Sequence, residues 1–426
     1  MSGGHEASRV ILKGYFSRLP LTDRITFARE LWSAFFYGIF SGLALPLIPL
    51  VARRIGMSTG AIAAMVTTQF AGALLGVFAG RLADRGRKMP WAVWPTVAAR
   101  GLIGLLAFAS TPGSYLVVVS AFNILINLSP PAYGSIMRTN YSDEHRGRLM
   151  GNVRIIIVVV SAAFSSLAGI ILAADEAIIR WLFPVAAVFG VISSLTFRTI
   201  KVRKGPLLHV EPGPRTARAT LGMLRENRLF LTFMALLFLC AFPDKIAVSL
   251  EPIWMVDFLH LGYGQASFLL GTVVSVVSIF GYWFWARALK RTNPFLVLSL
   301  VVLLYAGRFF SMALTRTGTQ LFAMSFFSGL TNSGWDLVPL FCMIALSDMS
   351  NFSLYFGLNT TLYGVRGLFG PTIGTWLFAS GTLSMNGIFW LIAGLLTTGA
   401  LSMFLFSRRP SVRATLTPAA RQALRR

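Results

Sequence analysis

The chain has 426 residues, 55% of them hydrophobic and only 12% charged, against roughly a quarter in soluble domains. Its mean hydropathy is +0.69. So little charge on so much apolar bulk excludes a disordered chain and a string of soluble domains, and two cysteines, Cys240 and Cys342, exclude a disulfide scaffold. What remains is a multi-span membrane protein.

A spanning helix needs about 20 apolar residues. In chain order, a basic N-terminal segment (1–28) comes first, with Val10, Ile11, Leu12, Tyr15 and Phe16 among Arg9, Lys13 and Arg18. An amphipathic surface helix and a solvated tail are both open for it, and it shows no cleavable signal pattern. Twelve apolar stretches follow, at 30–50, 60–80, 91–110, 115–137, 151–173, 179–197, 228–256, 265–286, 295–314, 319–345, 353–379 and 387–407. They are continuously apolar, not alternating, so they predict helices and not barrel strands. The hydrophilic stretch 198–227, with Lys201, Arg203, Lys204, Pro206, Pro212 and Pro214, divides them six and six, giving bundles at 29–197 and 228–407 and a basic tail at 408–426.

The basic residues follow the positive-inside rule. With the N-terminus inside, 29 of the 38 Lys and Arg residues fall on inner segments, and only Arg53, Arg54, Arg180 and Arg316 on outer loops. Both termini are therefore expected in the cytoplasm, in a cell membrane. The net charge of +23 is then topological, with anionic inner-leaflet lipid as its partner. No aromatic-plus-basic pattern points to nucleic acid.

Several polar groups fall inside the spans, where an ionisable side chain is costly and usually functional or paired. The first span carries Tyr37 and Ser41; the third, Arg100; the fourth, Ser120, Asn123 and Asn127 on one stripe. In the seventh, Asp244 and Lys245 sit about 16 residues in, near mid-membrane. Adjacent helix positions do not face each other, so separate partners are expected for these two. Pro243 should weaken the helix just before them. Glu251 falls near the outer end of the same span, and Arg308 in the ninth. The tenth carries Ser328, Asn332 and Asp336 at i, i+4, i+8 with Trp335 beside them, and the eleventh carries Arg366, the expected partner of Asp336 or Asp244. Glycines recur every four residues at Gly38 and Gly42, at Gly72, Gly76 and Gly80, and at Gly370 and Gly374, a spacing that lets helix backbones approach closely. His5, His145, His209 and His260 are scattered and form no metal spacing. With no phosphate-binding glycine loop or nucleophile motif either, no cofactor, ATP site or enzyme chemistry is expected.

The halves are related at an offset near 206. Pro46 and Gly56 match Pro252 and Gly262; Ser120, Phe122, Leu125 and Asn127 match Ser325, Phe327, Leu330 and Asn332; Ser142-Asp143 matches Ser347-Asp348. Duplicated bundles around a midplane site are a common transporter plan. After the second span the chain reads Gly80-Arg81-Leu82-Ala83-Asp84-Arg85-Gly86-Arg87-Lys88, and after the fourth Tyr141-Ser142-Asp143-Glu144-His145-Arg146-Gly147-Arg148. Here it resembles the major facilitator superfamily, whose signature is G-x-x-x-D-R-x-G-R-R/K; one residue is missing between Arg85 and Gly86. The resemblance implies twelve transmembrane helices in two pseudo-symmetric six-helix bundles. It also implies a cytoplasmic latch made by Gly80, Asp84, Arg85, Gly86, Arg87, Arg146 and Arg148. Spans one, four, seven and ten would line the cavity, with Tyr37, Asn123, Asn127, Asp244, Lys245, Asn332, Trp335, Asp336 and Arg366 as candidate substrate and proton residues. Arg100 and Arg308, on supporting spans, are expected to be mainly structural. The G-P-x-x-G element of many drug antiporters is absent from span five, where Ser165-Ser166-Leu167-Ala168-Gly169 stands.

The expected function is secondary active transport of a small solute by alternating access, with protons as the candidate coupling ion. A lipid or amphipathic-compound exporter of the same fold, and a non-transporting sensor or assembly protein, are the alternatives.

Overall fold

The computed structural model describes residues 19–85, 88–202, 227–346 and 352–415. All twelve expected stretches are helical: α1 Leu21–Ala44, α2 Thr59–Arg85, α3 Lys88–Gly104, α4 Pro112–Ile126, α5 Asp143–Ala174, α6 Ile179–Arg198, α7 Arg228–Ala247, α8 Val274–Arg291, α9 Pro294–Leu314, α10 Leu321–Leu346, α11 Phe352–Ala379 and α12 Met385–Arg408. Among the described residues, nine helical segments are long and apolar enough to cross a membrane. The amphipathic segment near residue 12 and most of the 198–227 connection lie outside the described residues.

Local chemistry sets the helix ends. Pro112 and Pro294 start α4 and α9, where a missing N–H costs nothing. Thr111 and Ser114 form a reciprocal capping box. Asn227, Asn293 and Ser384 each accept a hydrogen bond from a backbone N–H of the first turn they precede. The repeat is visible in the breaks. α1 stops at Ala44 and resumes as Ile48–Arg54 around Pro46; α7 stops at Ala247 and resumes at Glu251 beside Pro252. Pro243 was expected to weaken α7, yet the helix runs through it, and the break falls one turn later. After it the chain is π-helical over Trp254–Phe258 and again over Ser267–Val273, ahead of α8.

α1 packs on α5 and α6, α3 on α4 and α6, and α2 on α4; in the second half α9 packs on α10 and α12, α8 on α10, and α7 on α11 and α12. Among the described residues the main contacts that join these groups are α2 with α11 and α5 with the segment from Tyr263 into α8, and the Ile48–Arg54 helix also meets the Glu251–Phe258 segment. The glycine spacing explains the closest approaches. A Cβ at Gly76 would lie 2.4 Å from the Asn127 carbonyl oxygen, and one at Gly374 1.9 Å from that of Ile246, so only glycine permits these backbones to touch.

Candidate functional site

Asp244 and Lys245 close on each other. The Lys245 ammonium donates to Asp244 at 2.6 Å, against the expectation of separate partners. The four-carbon Lys stem is long enough to fold back along the helix, and two lone buried charges would cost far more than one pair. Arg308 of α9 completes the group. It donates through Nη2 to Glu251 at 2.7 Å and through Nε to the Ser328 hydroxyl at 2.8 Å, and its Nη1 lies 3.6 Å from Asp244. Arg308 and Glu251, read from sequence as a support residue and an outer-end residue, thus share one buried network with the Asp244–Lys245 pair. The Lys245 ammonium lies under the rings of Phe70 and Tyr363, at 5.6 and 5.7 Å. Those rings, one from each half, pack at 5.2 Å.

Arg366 lies beside this network but takes neither expected partner. It donates to the Leu237 carbonyl at 3.1 Å, and its Nε has no hydrogen-bond partner among the described residues although the side chain is buried. Asp336 is held instead by Arg154 of α5, at 3.2 Å, and by the Tyr282 hydroxyl of α8, at 2.6 Å. This group spans both halves of the fold. It is open: the side chains of Arg154 and Asp336 are 56% and 48% exposed. Asn332, one turn away on α10, is exposed as well.

The remaining cavity candidates, Asn123, Asn127, Trp335 and Tyr37, have structural partners. Asn123 donates to the Met65 carbonyl and the Thr68 hydroxyl, at 3.0 and 3.2 Å, tying α4 to α2. Asn127 donates back to the Asn123 carbonyl at 2.8 Å. Trp335 turns away from the stripe and packs on Tyr305, with centroids 6.2 Å apart. Tyr37 lies 4.6 Å beneath the Arg100 guanidinium, whose Nη1 donates to the Ser193 and Ser194 hydroxyls, both at 2.9 Å. Arg100 therefore packs α3 against α6, as expected. Of the latch, Gly80, Asp84 and Arg85 lie on α2, but their side chains, together with Gly86 and Arg87, fall outside the described residues. Arg146 donates to the carbonyls of Arg138 and Tyr141 at 3.1 and 3.3 Å, and Arg148 is exposed.

Two features had no sequence signal. At one end of the molecule the halves are clasped by charge. Arg53 Nε donates to both Asp257 carboxylate oxygens, at 2.9 and 3.0 Å; Arg54 pairs with Glu176 at 2.7 Å and donates to the Leu261 carbonyl at 2.6 Å. Glu176 accepts from the Tyr263 backbone N–H at 3.1 Å, and the Arg54 guanidinium stacks 3.9 Å over the Tyr263 ring. Next to the clasp, Ser165 and Ser267 each donate to the other's carbonyl at 2.8 Å, and Ser166 meets Thr272 at 2.9 Å. The serines that replace the antiporter glycine–proline element thus bridge the halves. Second, two α1 carboxylates hold the connection between α4 and α5: Asp23 accepts from the Ser142 hydroxyl at 2.7 Å, and Glu30 from the Tyr133 and Tyr141 hydroxyls.

From Ser165, fully buried, to Arg154, more than half exposed, α5 advances about 16 Å. The space between the halves is thus shut at the clasp and opens away from it. The described residues contain no group of His, Cys, Asp and Glu able to hold a metal ion.

The family profile described as Major Facilitator Superfamily matches residues 31–338. No curated protein matches the sequence. Among solved structures, a bacterial homologue of the human lysosomal transporter Spinster, inward-facing and unoccupied, is 13% identical and superposes with a TM-score of 0.62, covering 96% of this chain and 98% of that one. The nucleoside transporter NupG is 15% identical, with a TM-score of 0.67 over 89% and 99% of the two chains. An auto-inhibited POT family peptide transporter is 14% identical, with a TM-score of 0.64 over 92% and 97%. At these identities the likeness establishes the fold, and the profile, matching well over half of the chain, establishes the family: the chain belongs to the major facilitator superfamily.

Proposed function

We propose that this protein is a secondary transporter that moves a small solute across the cell membrane by alternating access, with protons as the coupling ion. Bundles at 29–197 and 228–407 rock about the α2–α11 and α5–α8 contacts. The clasp is the closed outer gate, and the open end, rich in Lys and Arg, faces the cytoplasm with both termini. The positive-inside distribution supports that orientation.

The observation that carries the reading is the exposed Arg154–Asp336–Tyr282 group bridging the halves where the gap begins to open. Rocking to the opposite state opens the clasp and closes the end where Arg154 and Asp336 are now exposed, which shifts α5 against α8 and α10 and leaves Asp336 facing different neighbours. A carboxylate whose charged partner changes with conformation changes its proton affinity, and that ties protonation to movement. Behind it, Asp244 is the second candidate proton residue, while Lys245 and Arg366 offer cationic donors to an anionic or polar group of the solute. Arg366 has donor capacity to spare in this state. Transport driven by gradients needs no nucleotide, and the absence of any catalytic motif favours a transporter over an enzyme.

A thermal-shift screen of solutes on purified protein, followed by uptake into proteoliposomes under an imposed pH gradient, tests this reading. A hit that accumulates only with the gradient supports it; accumulation indifferent to the gradient refutes proton coupling.

A further inference from the structure

A cavity of about 570 Å³ opens between α8, α9 and α12, with Trp285, Thr292, Leu303, Thr397, Ala400 and Phe404 among its walls. It lies within the second half of the fold, away from the gap that Arg154 and Asp336 line. Its size suits a substantial ligand segment. The polar groups of its walls are already committed. Thr292, Ser299 and Thr397 turn their hydroxyls to carbonyls of their own helices, at 2.6, 2.8 and 2.8 Å, and the Trp285 indole N–H donates to the Leu330 carbonyl at 2.8 Å. The groove therefore presents hydrocarbon and no free donor.

Its rim is the opposite. Thr292 directly follows Lys290 and Arg291, which are exposed in the last turn of α8. The exposed Arg408, ending α12, stacks its guanidinium 4.8 Å over the Phe404 ring of the groove wall. Asn293 fixes this rim by donating to the Ser407 carbonyl at 3.2 Å. Helices α8, α9 and α12 contain no Asp or Glu at all, so none of the three that form the groove supplies a counter-ion for this rim.

An apolar slot running along helices to a cationic rim at their ends fits one class of molecule. We propose that this groove is a binding site for an anionic phospholipid, with an acyl chain between α8, α9 and α12 and the headgroup phosphate at Lys290, Arg291 and Arg408. Helix ends lie at headgroup depth, where each Lys or Arg near an anionic lipid contributes a separate increment of affinity. The site stands whether or not the protein transports a solute.

Native mass spectrometry of the purified protein with phosphatidylglycerol or phosphatidylcholine tests it. Wild type should retain phosphatidylglycerol in clear preference. Lys290→Gln, Arg291→Gln and Arg408→Gln should each weaken that retention about fivefold, and the triple variant should bring it down to the phosphatidylcholine level. Arg287→Gln makes the same charge change on α8, but Arg287 stacks on Trp283, outside the groove walls, at 5.7 Å; it should leave retention unchanged. Leu303→Trp, at an exposed wall position, should reduce retention of both lipids. Equal retention of the two lipids by wild type, a triple variant that holds phosphatidylglycerol as wild type does, or an equal loss with Arg287→Gln would each overturn the proposal.

Discussion

Arg308→Gln tests the buried network most directly. The side chain is only 9% exposed, and it faces Glu251 at 17% and Asp244 at 6%. Lys245 is committed to Asp244 at 2.6 Å, so Glu251 loses its cation when Arg308 is neutralised. Removing one partner of a buried pair typically costs about 3–5 kcal/mol, because the other charge stays desolvated and unmatched. Two donors of lesser weight go as well: the Ser328 contact at 2.8 Å and the longer approach to Asp244 at 3.6 Å. A loss of about 3–5 kcal/mol in unfolding free energy is therefore expected, seen as a markedly lower melting temperature of purified protein in detergent. The cause is isolated by adding Glu251→Gln, which removes the stranded charge; the double variant should recover about 1–3 kcal/mol, the usual coupling between residues in one network. If Arg308→Gln melts like wild type, or if Glu251→Gln fails to rescue it, the residues do not form one electrostatic unit.

The clasp pairs are partly solvated, so Arg53→Ala or Asp257→Ala should each shift the balance of states by no more than about 1 kcal/mol; greater thiol accessibility of a cysteine placed at Ile55 reports the opening, and swapping the two charges should reverse it. Asp336→Asn should abolish accumulation driven by a pH gradient while leaving solute exchange in proteoliposomes, and undiminished accumulation would remove Asp336 from coupling. Gly374→Ala places a Cβ where the Ile246 carbonyl oxygen now lies 1.9 Å away, so α11 must retreat from α7; thermal unfolding should show a loss of about 1–3 kcal/mol. Reporter fusions at residue 210 and at the C-terminus should both read cytoplasmic, and an external reading at either contradicts the six-plus-six topology.

Composition and hydropathy alone determined the membrane class and the helical spans, because a bilayer demands long apolar helices whose backbone groups are satisfied internally; the family was legible only in the resemblance of the Gly80–Lys88 and Tyr141–Arg148 stretches to its signature. The offset near 206 matched Pro46 to Pro252, and both lie where the first helix of their half breaks, but Pro252 is the second residue of the resumed helix, the position that Pro49 holds in the first half. The glycine spacing foretold close backbone contact, as at Gly76 and Gly374. Asp244, Lys245 and Asp336 were legible because charge inside a span is costly wherever it falls. Their partners were not. Lys245 and Asp244 are neighbours in sequence, and helix geometry argued against a bond that one flexible stem makes easily. Arg154 and Asp336 lie 182 positions apart, and Arg308 reaches Glu251 across two helices. Arg100 and Arg308 occupy equivalent spans, yet serines hold one and carboxylates the other. Such pairings depend on how the helices are rotated and stacked, and apolar periodicity leaves that undetermined because lipid-facing and protein-facing surfaces are almost equally apolar.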